Sequence, residues 1–234
     1  LQHSMLPETL PNINGISLAA KYIPALEVGG DFYDVIPLAG DRLGVLVADA
    51  TGHGIQAALR TAIVKFAFSS FSHSEAEPGE LIQGLNRILC DGLPRDTFTA
   101  ALVAVIDLST NECRLVNAGL PHPYWLRGAD REGEHIFTEG FILGIVDNNL
   151  YPSTEAVTIE LGAHDTLLLY TDGLSEAESE SGEQFDSSAL ESALKKHKNS
   201  RGDELFLALL DSSRAFAKKD HIWDDITIVG IDMA

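Results

Sequence analysis

The sequence predicts an α+β fold in which helices pack on largely antiparallel sheets. Strand-like runs of apolar and β-branched residues come first, return in the middle of the chain and close it at the C-terminus. Two pairs of helical patterns separate these groups of strands. Parallel sheets require strands and helices to alternate one by one, and this chain does not alternate in that way. The grouping therefore favours separate layers of sheets and helices.

An N-terminal β-hairpin is the clearest local prediction. A loosely alternating strand is predicted over Ile16–Ile23, and β-rich runs follow at 32–36 and 43–47. The residues Gly40-Asp41-Arg42 between the two runs are typical of a hairpin turn. This hairpin would place Asp31 at the start of one strand and Asp49 at the end of its neighbour. Because antiparallel neighbours run in opposite directions, we expect these two positions to lie side by side.

The apolar period changes from that of a strand to that of a helix after Gly54. A first helix is predicted from an apolar stripe at helical spacing: Ile55, Ala58, Leu59, Ala62, Ile63 and Phe66. A second helix is predicted to begin at Pro78-Gly79-Glu80 and to end near 92–94.

The remaining segments follow the same rules. Strands are predicted over 97–107, 113–117, 124–127, 156–160, 166–170 and 226–231, and helices over 187–198 and 203–218. The charged segment 129–134 is predicted as a mobile loop, and 179–184 as a polar, acidic loop.

Composition restricts the class of protein and its partners. A net charge of −19 argues against a protein that binds nucleic acid, because such binding needs clustered Lys and Arg. Cys90 and Cys113 are too few for a disulfide framework, which favours a reducing compartment. No apolar run approaches the roughly 20 residues of a membrane span. We therefore expect a single cytoplasmic domain, 1–234, with no nucleic-acid or membrane partner.

Four acidic motifs point to the chemistry. Asp31 follows Gly29-Gly30, Asp49 precedes Ala50-Thr51-Gly52, Asp172 precedes Gly173, and Asp224 lies in an acidic pair before the last strand. Carboxylates that share a site repel one another unless cations compensate their charge. Sites built only from oxygen ligands suit Mg²⁺ or Mn²⁺. A single Asp beside Gly, taken alone, is more often a turn former.

In their order along the chain, these motifs resemble the metal-dependent (type 2C) protein phosphatases. Within them, the sequence is similar to the bacterial branch of stage II sporulation protein E and the stress-response regulatory phosphatases. Intermediate matches cover nearly the whole chain: Tyr22-Ile23-Pro24-Ala25, Asn117-Ala118-Gly119, Leu143-Gly144-Ile145 and Asp172-Gly173-Leu174-Ser175-Glu176-Ala177. The resemblance implies an antiparallel β-sandwich flanked by α-helices on both faces, in the order α-β-β-α.

The resemblance also implies a set of metal ligands. Asp49 would bridge two Mn²⁺ or Mg²⁺ ions, and the backbone carbonyl of Ala50 would complete one ligand shell. Asp31 would bind the second metal, and Asp172 and Asp224 the first. Such metals activate a water for attack on phosphorus and neutralise the phosphate oxygens. Asp225 competes with Asp224 for this role, whereas Asp34 is expected to be a structural hydrogen-bonding group.

Some positions depart from the pattern of the eukaryotic members. Thr51 stands where those enzymes have a histidine, so a Gly-flanked turn into the helix is the favoured interpretation of His53, and a role as general acid stays open. Leu120 replaces a ligand of a third metal, and the role of His122 stays open. Glu27 stands where a phosphate-clamping arginine would be expected.

The resemblance implies a hydrolase that removes phosphate from phosphoserine or phosphothreonine on a regulatory protein. A phosphorylated anti-sigma-factor antagonist in a stress-response pathway is the expected kind of substrate. The alternative is a non-catalytic adaptor, as in response regulators that carry a degenerate copy of the fold, but all four aspartates are present. The first residue is not Met, which suggests the C-terminal part of a longer protein with an N-terminal sensor or receiver domain. A homodimer through that N-terminal region stays open.

Overall fold

A computed structural model describes residues 5–52, 54–92, 97–185, 187–218 and 224–234. His53 and Trp223, which belong to two of the acidic motifs, lie outside the described residues, as do residues 1–4. The strands are β1 (Ile16–Ile23), β2 (Asp31–Leu38), β3 (Arg42–Ala50), β4 (Thr99–Asp107), β5 (Glu112–Ala118), β6 (Tyr124–Arg127), β7 (Glu132–His135), β8 (Val157–Glu160), β9 (Thr166–Tyr170) and β10 (Ile226–Met233). The helices are α1 (Ile55–Ser69), α2 (Pro78–Gly92), α3 (Asp172–Ser175), α4 (Ser187–Lys196) and α5 (Gly202–Ala217).

The chain divides into two compact units, and each contains one five-stranded antiparallel sheet. Unit 1 comprises Leu1–Thr9, Leu26–Leu120 and Phe137–Leu161, and unit 2 comprises Leu10–Ala25, Pro121–Ile136 and Gly162–Ala234. The sheet of unit 1 has the order β2-β3-β4-β5-β8, and that of unit 2 has the order β1-β10-β9-β6-β7. Every strand pair is antiparallel, which confirms the predicted α+β class with antiparallel sheets.

The hairpin of unit 1 forms as the sequence predicts. Gly40 and Asp41 in its turn have φ angles of 71° and 57°, a left-handed conformation that Gly adopts freely and Asp tolerates. The strands then pair from Leu38 opposite Arg42 to Asp31 opposite Asp49. The turn therefore sets the register that brings the two carboxylates together.

Helix α1 lies on β2 and β3, but its buried face is not the predicted stripe. The buried residues are Ala57, Ala58, Thr61, Val64, Ala67 and Phe68, whereas Leu59 and Phe66 are 60 % and 73 % exposed. The predicted helix is confirmed, and the stripe that predicted it is buried only in part, at Ala58. Apolar residues occur on two sides of α1, and periodicity alone does not say which side meets the sheet.

The core of unit 2 forms between its sheet and its helices. Leu190 and Leu194 of α4 and Leu205, Phe206 and Leu209 of α5 are among its buried residues. Gly230 of β10 makes room for the Phe206 ring, since a Cβ there would lie 2.8 Å from the ring. Burial of these large side chains stabilises the unit by about 1.5–3 kcal/mol each.

Part of the predicted mobile loop at 129–134 is ordered as a strand. Tyr124 of β6 lies opposite His135 of β7, and the Tyr124 ring occupies the space that a Cβ on Gly133 would need. Gly133 thus allows the buried Tyr124 ring to pack against the neighbouring strand. Strand β7 has no apolar alternation of its own, which is why the sequence pattern missed it. Among the described helices, none is long and apolar enough to cross a membrane.

Candidate active site

Asp31 and Asp49 form the first pair of predicted ligands. They are directly opposite one another in the β2–β3 ladder, and Asp31 is buried. Opposed residues of an antiparallel pair have their Cβ atoms about 5 Å apart and point to the same face of the sheet. Like charges in this position repel, so the pair favours binding of a cation.

Gly30 holds the Ala50 carbonyl against this pair. The Ala50 N–H donates to the Gly30 carbonyl at 3.1 Å. A Cβ on Gly30 would lie 2.2 Å from the Ala50 oxygen and 3.2 Å from Oδ1 of Asp49. Only glycine therefore permits this approach, which leaves the carbonyl oxygen near the Asp49 carboxylate.

The loop after Ala50 is tied to its surroundings by the Thr51 backbone and side chain. Thr51 N–H and its hydroxyl both donate to the Phe98 carbonyl, at 3.1 and 2.9 Å. Nη1 of Arg60, on helix α1, donates to the Thr51 carbonyl. Gly52 has a φ of 96°, a conformation that favours glycine. Helix α1 is thus linked by Arg60 to the loop that follows the first ligand pair.

Asp172 and Asp224 belong to the second set, in unit 2. Asp172 is the first residue of the short helix α3, two residues after the end of β9 at Tyr170. Thr171 N–H donates to the Thr227 carbonyl at 3.0 Å, and Thr227 N–H donates to Oγ1 of Thr171 at 2.9 Å. These bonds fix the start of α3 beside the start of β10.

Gly173 repeats in unit 2 the role that Gly30 has in unit 1. A Cβ on Gly173 would lie 2.0 Å from the Asp225 carbonyl oxygen and 3.3 Å from that of Asp224. The backbone after Asp172 therefore lies directly on the backbone after Asp224. A larger residue at either glycine would separate the aspartates of that set.

Electrostatics shows that the unit 2 carboxylates disfavour their charged forms. Burial first, and then the nearby Asp224 and Glu176, raise the pKa of Asp172 to about 6. Asp224 lies at the surface, but nearby protein atoms restrict the solvation of its carboxylate, and this raises its pKa. The negative charge of Asp225 also raises the pKa of Asp224. A bound cation would relieve this penalty.

Three neighbouring side chains have structural partners. Oδ1 of the buried Asp225 accepts a hydrogen bond from the Ala25 N–H at 2.7 Å, which ties the end of β1 to the start of β10. The buried Asp34 carboxylate accepts hydrogen bonds from the Val35 N–H and from Ser69 on α1, and burial raises its pKa. The Ser175 hydroxyl donates to the Asp172 carbonyl at 3.2 Å.

The structure thus brings the predicted ligands together in two sets. Asp31, Asp49 and the Ala50 carbonyl lie together in unit 1, and Asp172 and Asp224 in unit 2. Across the described ranges, no three His, Cys, Asp or Glu side chains form a metal-binding group. The donor chemistry fits Mg²⁺ or Mn²⁺, because every candidate ligand atom is an oxygen and the carboxylates repel one another. The four-carboxylate centre itself stays a prediction.

Two parts of the site were not found from the sequence. Phe98 acts through its backbone carbonyl, which leaves no sequence signal. Arg60 could have been noticed, because it follows the glycine loop by about two helical turns and is the only basic residue in the first half of α1.

Comparison with known structures defines the class of protein. The SiaA-PP2C domain of Pseudomonas aeruginosa aligns with a TM-score of 0.82 at 22 % identity, covering 100 % of this chain and 93 % of that one. The fold is that of the PP2C phosphatase domains, which confirms the predicted type 2C-like fold class.

The sequence places the chain more closely within this class. The family model of stage II sporulation protein E (SpoIIE) matches residues 39–234, so the chain belongs to the SpoIIE family. It is 22 % identical over 229 residues to the phosphoserine phosphatase RsbU of Bacillus subtilis (strain 168), covering 98 % of this chain and 67 % of RsbU. It is 25 % identical over 238 residues to the phosphoserine phosphatase RsbP of the same organism, covering 100 % of this chain and 56 % of RsbP. The chain thus spans about two thirds and about half of these two relatives.

Proposed function

We propose that this chain is a protein-serine/threonine phosphatase that hydrolyses phosphoserine or phosphothreonine on a regulatory protein. Two Mg²⁺ or Mn²⁺ ions would be held by Asp31, Asp49, the Ala50 carbonyl, Asp172 and Asp224. The observation that carries the proposal is the register of Asp31 opposite Asp49, with the Ala50 carbonyl held beside them by Gly30. Family membership and the names of RsbU and RsbP support it.

Each set of residues has a task in this reaction. Divalent cations, when bound, lower the pKa of a water and offset negative charge on phosphate oxygens. The β2–β3 ladder keeps Asp31 and Asp49 in position before any cation arrives. Asp172, with its pKa near 6, is mostly ionised at neutral pH and able to act as a ligand. The contact between Gly173 and the Asp225 carbonyl keeps Asp172 beside Asp224.

The substrate is proposed to be a phosphorylated regulatory protein of the anti-sigma-factor-antagonist kind. With a net charge of −19, the chain as a whole repels an anionic phosphoprotein, so attraction must be local. Because RsbU and RsbP are longer than this chain, we also propose that it acts as one cytoplasmic phosphatase domain under the control of an N-terminal input region.

Phosphate release from a phosphoserine peptide and from p-nitrophenyl phosphate tests the proposal. We expect turnover with Mn²⁺ or Mg²⁺, and none after removal of metal by a chelator. Calorimetric titration of Mn²⁺ into the same preparation reports binding separately. A folded chain that binds Mn²⁺ and turns over neither substrate would be an adaptor and not an enzyme. An activating upstream region, supplied in a longer form of the protein, is the control for a silent domain.

A further inference from the structure

An open groove of about 610 Å³ lies in unit 1, and none of the predicted metal ligands is among the described residues that line it. It runs between the segment 137–141 and the residues that lead into β8. Phe137, Phe141 and Val157 give it apolar walls, and Phe137 is 76 % exposed. Glu139 and Glu155, both exposed, form its rim.

The groove has rigid walls. Gly140 lies so close to β5 that a Cβ there would be 1.6 Å from the Asn117 carbonyl oxygen. Nδ2 of Asn117 donates to Oγ1 of the buried Thr138 at 3.0 Å. The hydroxyl of the buried Tyr151 donates to the Phe141 carbonyl, and the two rings meet edge to face at 6.4 Å. The exposure of the Phe137 and Phe141 rings is therefore a feature of a fixed surface.

The charge and shape of the groove select its occupant. No Lys, Arg or His is among the described residues that line it, whereas two glutamates are. Val157 begins β8, the edge strand of the sheet, which pairs with β5 on one side. An extended peptide can add to such an edge and place alternate side chains in neighbouring pockets. The groove therefore fits an extended segment that carries large apolar side chains next to Lys or Arg.

The groove opens near the end of the sheet that carries the predicted ligands of unit 1. Asp49 lies opposite Ala100 on β4, and Leu102 of β4 lies opposite Asn117 on β5. Two strand spacings, about 10 Å, and a shift of two residues along the strand, about 7 Å, therefore separate Asp49 from Asn117, which Gly140 contacts. An extended chain covers the resulting ~12 Å in about four residues.

We propose that this groove binds the substrate protein beside its phosphoserine, through a segment that carries Lys or Arg next to large apolar residues. The proposal rests on the proposed function, because it assigns this segment to the substrate. The negative charge of the chain as a whole repels a phosphoprotein. The groove would attract it locally, because its glutamates and apolar walls bind the Lys or Arg and the apolar residues beside the phosphoserine.

Matched peptides test the groove. Two phosphoserine peptides share one core, and each carries an extension of equal length, made of Lys and Leu in one and of Glu and Ser in the other. Each peptide is made in two versions, one with the extension before the phosphoserine and one with the extension after it. With Mn²⁺, we expect the Lys–Leu extension to raise kcat/KM by ~10-fold when it lies on one side of the phosphoserine. The increase should come from a lower KM, and its size is that expected from burial of one aromatic side chain.

The variants Phe137→Ser and Glu139→Gln/Glu155→Gln should abolish this preference and leave turnover of p-nitrophenyl phosphate unchanged. Leu207→Ser, at an exposed leucine of α5, and Glu132→Gln, at an exposed glutamate of β7, are the matched controls. Equal kcat/KM for the two peptides in the wild-type chain, or an undiminished preference in Phe137→Ser, would overturn the proposal.

Direct binding separates this proposal from the proposed function. Fluorescence anisotropy of a labelled, unphosphorylated Lys–Leu extension reports on the groove without turnover. Binding by the wild-type chain that is lost in Phe137→Ser supports the groove, and absence of binding by the wild-type chain overturns it. Failure to hydrolyse any phosphate ester counts against the proposed function instead.

Discussion

The two sets of predicted ligands use the same contact in different frameworks. In unit 1, Gly30 precedes Asp31 and meets the carbonyl of Ala50, the residue after Asp49. In unit 2, Gly173 follows Asp172 and meets the carbonyl of Asp225, the residue after Asp224. The first pair lies within one regular β-ladder, whereas the second lies at the start of a short helix and just before a strand.

This difference indicates that backbone pairing positions the ligands of unit 1, whereas the charge of the unit 2 ligands is opposed by their surroundings. Ladder hydrogen bonds keep Asp31 and Asp49 together whether or not a cation is bound. Asp172 is held where burial opposes its charge, so the unit 2 set also gains electrostatically from a cation. We expect loss of Asp49 to affect mainly the rate, loss of Asp31 to affect metal affinity, and loss of Asp172 to affect both metal affinity and stability.

The largest effect is expected from Asp49→Asn. The change removes a charged ligand that both metals would share, and it should lower the rate at least ~10²-fold, as loss of one electrostatic stabiliser does. Asp41→Asn is the matched control, because it lies in the turn of the same hairpin and Asn also tolerates a positive φ. The measurement is phosphate release at saturating Mn²⁺. Near-wild-type turnover by folded Asp49→Asn would disprove a shared ligand at this position.

A methyl group at Gly30 or Gly173 tests the shared contact itself. The new Cβ would lie 2.2 or 2.0 Å from a carbonyl oxygen, so the backbone must shift by about 1 Å. Gly30→Ala should lower the rate ~10²-fold by moving the Ala50 carbonyl, and Gly173→Ala should mainly raise the Mn²⁺ concentration for half-maximal activity.

Gly92→Ala is the control for both glycine variants, because a Cβ there meets nothing within 4 Å. Metal titrations of the three variants distinguish the outcomes. If Gly30→Ala and Gly173→Ala titrate like Gly92→Ala, the close contacts do not position ligands.

Asp172→Asn should separate metal affinity from stability. Like Asp31→Asn, it should raise the Mn²⁺ concentration for half-maximal activity. In the metal-free chain it should also stabilise the fold by about 1–2 kcal/mol at pH 7.5, less than for a fully buried group because Asp172 is partly exposed.

The sign follows from the raised pKa of Asp172, about 6 in the folded chain against an ordinary value of 3.8. The folded state binds this proton more tightly, so stability is full below 3.8 and falls as pH rises to about 6. Urea unfolding with a chelator, at pH 4 and pH 7.5, measures the difference. Asp107→Asn is the control, and it should change stability in the opposite direction at pH 7.5. The reason is that hydrogen bonds from Ser109 lower the pKa of Asp107 and so stabilise its charged form in the folded chain. Equal stabilities of wild type and Asp172→Asn at pH 7.5 would contradict the inference that the charged Asp172 carboxylate destabilises the folded chain.

The smallest effect on stability is expected on the exposed face of α1. Phe66→Ala should change the free energy of unfolding by no more than ~0.5 kcal/mol, because the ring is 73 % exposed. It should nevertheless change the rate, and so should substitution of Ala62, because α1 carries Arg60 and Arg60 holds the loop after Ala50. Phe68→Ala, at a buried ring of the same helix, should cost about 3–5 kcal/mol.

The same variants in a longer form of the protein, with its upstream region, test whether α1 transmits a signal. We expect low basal activity from the 234-residue chain and a higher metal affinity in the activated longer form. Identical rates and metal affinities in the two forms would exclude a switch through α1.

Local sequence patterns determined much of this protein. The strand at Thr166–Tyr170, the hairpin turn at Gly40-Asp41 and the helix that begins at Pro78 all lie where the sequence predicts them. Each shows a local signal, namely a β-rich apolar run, turn residues or a helix start, which periodicity and turn chemistry report directly. The proximity of Asp31 to Asp49 follows for the same reason, because one short hairpin joins them.

Only the tertiary structure decided which faces are covered and which distant segments meet. Strand β7 pairs with β6, with the Tyr124 ring over Gly133, and α1 buries Val64 instead of Phe66 because one of its two apolar sides meets the sheet. Asp172 lies beside Asp224 because Thr171 and Thr227, far apart in sequence, bond to each other. These outcomes depend on the burial and hydrogen bonding of non-local partners, which a local pattern does not contain.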